Sequence, residues 1–216
     1  MGWGVHQMST IAHWVADLPG AANMVRAWPP AALIAIVFGG LWFALWRLSW
    51  RWQGLAPIAL GFAVISVSVP PDIFIARDGT AAAVRGGDGR LTILGVKPDN
   101  YTAEQWLLRD GDSRDVAAAR EAARCDSLGC FALGAGERKI ALSLRAGRLI
   151  EDCARADLII SAVPVRRPCQ GPDLVLDHFD IAKNGATALT FTENGVRMDT
   201  VASQRGMRPW SIKGRD

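Results

Sequence analysis

Two uncharged, strongly apolar stretches, residues 31–46 and 54–69, meet at the aromatic-basic bend Trp46-Arg47-Leu48-Ser49-Trp50-Arg51-Trp52. This arrangement constrains the fold most, because each run must be hidden from water along its whole length. Each stretch holds 16 residues, about 24 Å of helix against a hydrocarbon core of about 30 Å. Trp28, Trp50 and Trp52 flank the runs, and indole rings settle at the headgroup level, which lengthens both spans. The pattern predicts a two-span membrane helical hairpin over 29–70. Trp28, Arg47, Trp50, Arg51 and Trp52 would be its interface anchors and the lipid bilayer its partner. A hairpin buried in a globular fold has the same apolarity, but Trp-Arg-Trp flanks suit a membrane interface better than a globular turn.

Charge divides the 216-residue chain at about residue 70. Asp17, Arg26, Arg47 and Arg51 are the charged residues before that point, so 21 of 24 basic and 20 of 21 acidic residues lie beyond it. The C-terminal part is long enough to bury a sizeable core, and its near-neutrality gives no support for tight nucleic-acid binding. The start of the chain has no basic n-region and is not a signal peptide. Residues 1–28 read as an amphipathic, interfacial segment with Met8, Ile11, Ala12, Val15 and Leu18 on one helical face, which would lie on the membrane or equally pack on the rest of a larger membrane protein. Arg47 and Arg51 in the short connection place the bend in the cytoplasm by the positive-inside rule, and the C-terminal domain on the other side of the membrane.

All four cysteines, Cys125, Cys130, Cys153 and Cys169, lie in that domain. An even number outside the cytoplasm reads as disulfides. Pairing Cys125 with Cys130 and Cys153 with Cys169 closes the two shortest loops, while the other two connectivities stay open. Zinc is a competing reading, although a C-x4-C pair followed by cysteines sixteen apart departs from the usual close ligand pairs. Free buried thiols are the third.

Pro70-Pro71 ends the second apolar run. Strands are predicted at 72–76, 81–85 and 91–94, the last two around Gly86-Gly87-Asp88-Gly89. Thr102 and Gln105 have capping-box spacing for a helix to about Leu108, and Ser113 is placed to cap a second through Arg124. Strands follow at 130–133, 139–144 and 157–162, with a helix at 149–154 between the last two. A helix from Asp177 stops at Asn184-Gly185, and a final hairpin, 187–192 with 196–201, turns at Asn194-Gly195. The expected class is an α/β or α+β strand-rich domain at 71–216, behind the hairpin.

The hairpin, Pro70-Pro71-Asp72, the Asp78-Gly79 and Asp88-Gly89 turns, the cysteines, the stretch from Cys153 through Ala154-Arg155-Ala156-Asp157 to Ser161, and Arg208-Pro209-Trp210 follow one another in order. Together they resemble the C-terminal end of ComEC-type competence proteins, in particular alphaproteobacterial members. The resemblance implies the last part of a longer polytopic channel in the bacterial inner membrane, which admits single-stranded DNA during natural transformation. It also implies a periplasmic C-terminal domain similar to a degenerate metallo-β-lactamase fold, with other channel segments or subunits as partners.

The family's nuclease chemistry needs a His-x-His-x-Asp-His cluster converging on two cations. This chain has only His6, His13 and His178, so no catalytic residue, metal ligand or cofactor is assigned and the expected role is structural or DNA-guiding. Asp110-Gly111-Asp112 reads as a solvated turn, Asp177 with His178 as a helix cap beside a surface histidine, and Ser143 and Ser161 as structural. Arg138, Lys139, Arg145, Arg148, Arg166, Arg167 and Lys183 are the candidate phosphate contacts, diluted by acidic neighbours. The alternative function is a stand-alone, membrane-anchored envelope domain that binds a protein partner.

Overall fold

The computed structural model describes residues 2–18, 24–95, 100–166, 169–193 and 195–206. Helix α1 (Gly2–Ala16) buries none of its residues. Its apolar face therefore does not pack on the rest of the chain. Helix α2 (Pro30–Leu45) starts at a proline, whose fixed φ suits the first turn, and stops where Trp46 turns extended. A 3-10 helix (Ser49–Gly54) leads into α3 (Leu55–Val67), which ends at extended Ser68.

The expected pair of membrane spans is not found. Among the described residues no helix is long and apolar enough to cross a membrane. The capping breaks leave 16 residues in α2 and 13 in α3, about 24 and 20 Å of helix. The multi-pass inner-membrane location, and the periplasmic side read from Arg47 and Arg51, depended on full spans and are overturned with them. The fold is an α/β structure with two sheets, not a two-span hairpin followed by a domain.

Helices α2 and α3 pack on each other through small residues. A Cβ at Gly61 would lie 2.5 Å from Ile36 Cγ1, and one at Gly39 2.5 Å from the Gly54 carbonyl oxygen. Of the residues expected as interface anchors, Trp50, Arg51 and Trp52 gather at the bend. Trp50 stacks on Trp46 with ring centroids 6.2 Å apart, and Trp42 donates its Nε1–H to the Trp50 carbonyl at 3.4 Å. Arg51 lies 4.4 Å over the Phe43 ring, and Trp52 meets the same ring edge-on at 5.5 Å. Trp28 meets Phe62 edge-on at 6.4 Å.

Beyond Pro71 two five-stranded sheets stack face to face. The first has the order β10-β9-β1-β2-β3, all antiparallel: β1 (Ile73–Ile75), β2 (Ala82–Arg85), β3 (Leu91–Leu94), β9 (Thr187–Thr192) and β10 (Gly195–Thr200). The second has the order β4-β5-β6-β7-β8: β4 (Arg124–Cys125), β5 (Gly129–Leu133), β6 (Lys139–Ser143), β7 (Leu158–Ser161) and β8 (Leu174–Leu176). Strands β6, β7 and β8 run parallel, with Ser143 opposite Ser161.

Alternation decides the layers. Ile73, Ile75, Val84, Ile140, Leu142 and Ile160 point between the sheets into the main core. Their neighbours Phe74, Ala83 and Ile93 face outward, where α4 (Asn100–Asp110) and α5 (Val116–Arg120) cover them with Leu107 and Ala119. On the other side Ala141 and Ile159 pack under α6 (Leu149–Arg155). Both faces of each central strand are thus buried, so the strands read as continuous apolar runs. The order of layers is helix, sheet, sheet, helix.

Two further helices follow among the described residues. Asp177 caps α7 (His178–Asn184) in a reciprocal capping box with Asp180, and α8 (Val201–Arg205) follows β10. Helix α5 is shorter than expected, because Asp115 rather than Ser113 caps it, accepting from the Ala118 N–H. Both cysteine pairs form as favoured, Cys125–Cys130 and Cys153–Cys169.

The hairpin joins the sandwich at one ion-paired centre. Arg85 donates to both Asp110 oxygens, at 2.7 and 2.9 Å, to the Pro71 carbonyl at 3.1 Å and to the Gly89 carbonyl at 2.7 Å. Arg26 reaches the same carboxylate at 3.3 Å. Residues just before α2 and just after α3 are therefore held at one point. Asp110-Gly111-Asp112 is consequently not the solvated turn expected: the Asp110 side chain is 6 % exposed, and Asp112 is gripped by Arg114 at 2.6 Å.

Candidate functional site at the carboxyl end of the second sheet

Parallel strands deliver their following loops to one end of a sheet, and in α/β folds that end is the usual ligand side. Here β6 leads into Arg145–Arg148, β7 into 162–166 and β8 into Asp177 and α7. The Asp78-Gly79 turn of the first sheet meets them there. A Cβ on Gly79, held at φ +68°, would lie 2.8 Å from Ile181 of α7 and 3.5 Å from the Ala162 Cα.

Most carboxylates at this end are already engaged. The Ser143 hydroxyl, fully buried, donates to Asp152 Oδ2 at 2.5 Å. Arg148 Nε donates to Asp152 Oδ1 at 3.1 Å, and its terminal nitrogen pairs with Asp126. Burial opposes the charge on Arg148, but the hydrogen bonds and charges of Asp152 and Asp126 outweigh it and raise its pKa. The Leu128 N–H, together with the Gly129 N–H and Arg148, holds the Asp126 carboxyl below its ordinary value of 3.8. Asp78 accepts from the N–H and hydroxyl of Thr80, and Asp177 is spent on the α7 cap. Ser161 donates to the Val163 carbonyl at 2.7 Å, so both strand-end serines are structural.

The candidate cations divide accordingly. Arg145 and Arg166 are exposed, and among the described residues neither has an ion-pair partner. The Ser143–Ser161 register launches their loops from neighbouring strands at one level. Arg148 is not a free contact, since two aspartates consume its guanidinium. Arg138 and Lys139 lie at the opposite end of β6. There Arg138 covers the Phe191 ring at 4.3 Å, and the Lys139 N–H bonds Asp157 at 2.8 Å. Lys183 is exposed in the last turn of α7, and Arg167 lies outside the described residues.

The sequence reading missed the Ser143–Asp152–Arg148–Asp126 network. The four-residue spacing of Arg148 and Asp152 was its one visible sign. His178 is exposed beside Phe179, and His6 and His13 lie on α1. Among the described residues no three histidine, cysteine or acidic side chains converge to hold a metal ion. What the described residues offer at this sheet end is two exposed guanidinium groups, Arg145 and Arg166, without ion-pair partners among them. Comparison with protein-family models, curated proteins and solved structures finds no match to this chain.

Proposed function

We propose that the two-sheet domain is a non-catalytic module that guides single-stranded DNA in a ComEC-type uptake assembly. The observation that carries this reading is the pair Arg145 and Arg166, exposed and unopposed at an end where Asp152, Asp126, Asp177 and Asp78 are all internally committed. Guanidinium groups so placed take backbone phosphates without reading sequence.

One observation favours a second reading, a protein-interaction domain: Leu33, Ile34, Val37, Phe38 and Leu41 of α2 are each at least half exposed. Titrating a labelled oligothymidylate with the full chain over a range of salt separates the two. The DNA reading expects log K to fall with log salt, and Arg145→Ala with Arg166→Ala to flatten the slope by about 1.4, at about 0.7 per lost phosphate contact. An unchanged slope removes these residues, and no binding at low salt removes the reading.

A further inference from the structure

A cleft of about 670 Å³ opens between α6 and the connection from β7 to β8. Leu149, Ile150, Val163, Pro164 and Val165 form its walls, together with the Cys153–Cys169 bridge. Among the described residues, Arg166 and Gln170 bring the polar side chains to the lining and no acidic side chain does. We propose that this cleft binds a small amphipathic carboxylate, its aliphatic tail along the walls and its head group on Arg166. The proposal goes beyond the DNA reading and does not depend on it.

Three features select that chemistry. The volume falls within the range of small-molecule pockets, which combine apolar walls with a few convergent polar groups. Among the described residues Arg166 is the one charged side chain in the lining, and a guanidinium matches a carboxylate through two parallel hydrogen bonds. Among the described residues no aromatic side chain lines the cleft, so an aliphatic chain fits the walls better than a planar ring. Arg145, adjacent in sequence to the lining residue Ala146, adds positive charge near the mouth and disfavours a cationic ligand.

Isothermal titration of the full chain with decanoate, decan-1-ol and decyltrimethylammonium, each below its self-association concentration, tests this. Decanoate is expected to saturate one site per chain. Decanol should bind at least roughly tenfold more weakly, because it lacks the charge-assisted hydrogen bonds. The cation should not saturate. Ala146→Trp, which fills the cleft from an exposed position, should abolish decanoate binding, and Arg166→Gln should reduce it to the level of decanol. Equal binding of decanoate and decanol overturns the proposal, as does the absence of saturable decanoate binding. Decanoate binding that Ala146→Trp leaves intact also overturns it, by placing the amphiphile on another apolar surface such as α2.

Discussion

Asp110 holds three parts of the chain with one carboxylate, and Arg85 across from it is 7 % exposed. Removing one member of such a pair strands the other charge away from water. Asp110→Ala should therefore cost about 3–5 kcal/mol in urea unfolding, far more than an exposed pair such as Arg155–Glu151. A loss below 1 kcal/mol would mean that water reaches Arg85 freely. Two other carboxylates set the response to acid. The Arg114 hydrogen bond draws Asp112 below its ordinary value of 3.8 against the effect of burial, and the Leu128 N–H leads the groups that do so for Asp126. Lowered folded-state values mean that the unfolded chain takes up protons first as pH falls. The stabilisation is complete above the unfolded value and is lost on descent through the folded ones. Stability from these two groups should be flat between about pH 5 and 7 and decline below about pH 4, and Asp112→Asn with Asp126→Asn should flatten that acid limb.

At the scale of elements, the second disulfide governs the loop that carries Arg166. Cys153–Cys169 spans 16 residues against 5 for Cys125–Cys130, so the chain-entropy account assigns it the larger effect, about 3 kcal/mol. Replacing Cys153 and Cys169 with serine should lower the urea midpoint more than replacing the first pair, and an equal or smaller loss would contradict that ranking. Strands β1, β2, β3, β6 and β7 were legible in the sequence because burial on both faces produces unbroken apolar runs. Strand β4 was not, since Arg124 and Cys125 are exposed and pair over only two residues. Strand β8 is nearly as short. The two apolar runs were misread as spans because apolarity continues to residues 46 and 69, whereas the helices stop at Leu45 and Val67 and hold 16 and 13 residues. The glycines at 39, 54 and 61, where the helices approach closely, were the sign that α2 and α3 pack on each other.

For the whole molecule, function depends on which end of the sandwich a residue occupies, and composition does not reveal that. Seven basic residues were visible as candidates, but only the Ser143–Ser161 register brings the loops of Arg145 and Arg166 together, while Arg138 and Lys139 go to the far end. Arg148 looked equivalent to Arg145 in sequence. Its capture depends on Asp126, 22 residues away, and on Asp152, buried on the inner side of α6. The N-terminal helices join the sandwich at the Arg85–Asp110 centre, close to the first residue of β1, so the strand-end surface with Arg145 and Arg166 is left uncovered.

That separation of ends gives the most direct test of the DNA-guiding account. Arg145→Glu with Arg166→Glu and Arg138→Glu with Lys139→Glu change net charge equally but at opposite ends of β6. Measured by anisotropy with one labelled oligothymidylate at about 0.1 M salt, the first pair should weaken binding at least tenfold and the second by no more than about twofold. Equal weakening by both pairs would reduce the effect to overall charge. No weakening by the first pair would remove the strand-end surface from any role in holding DNA.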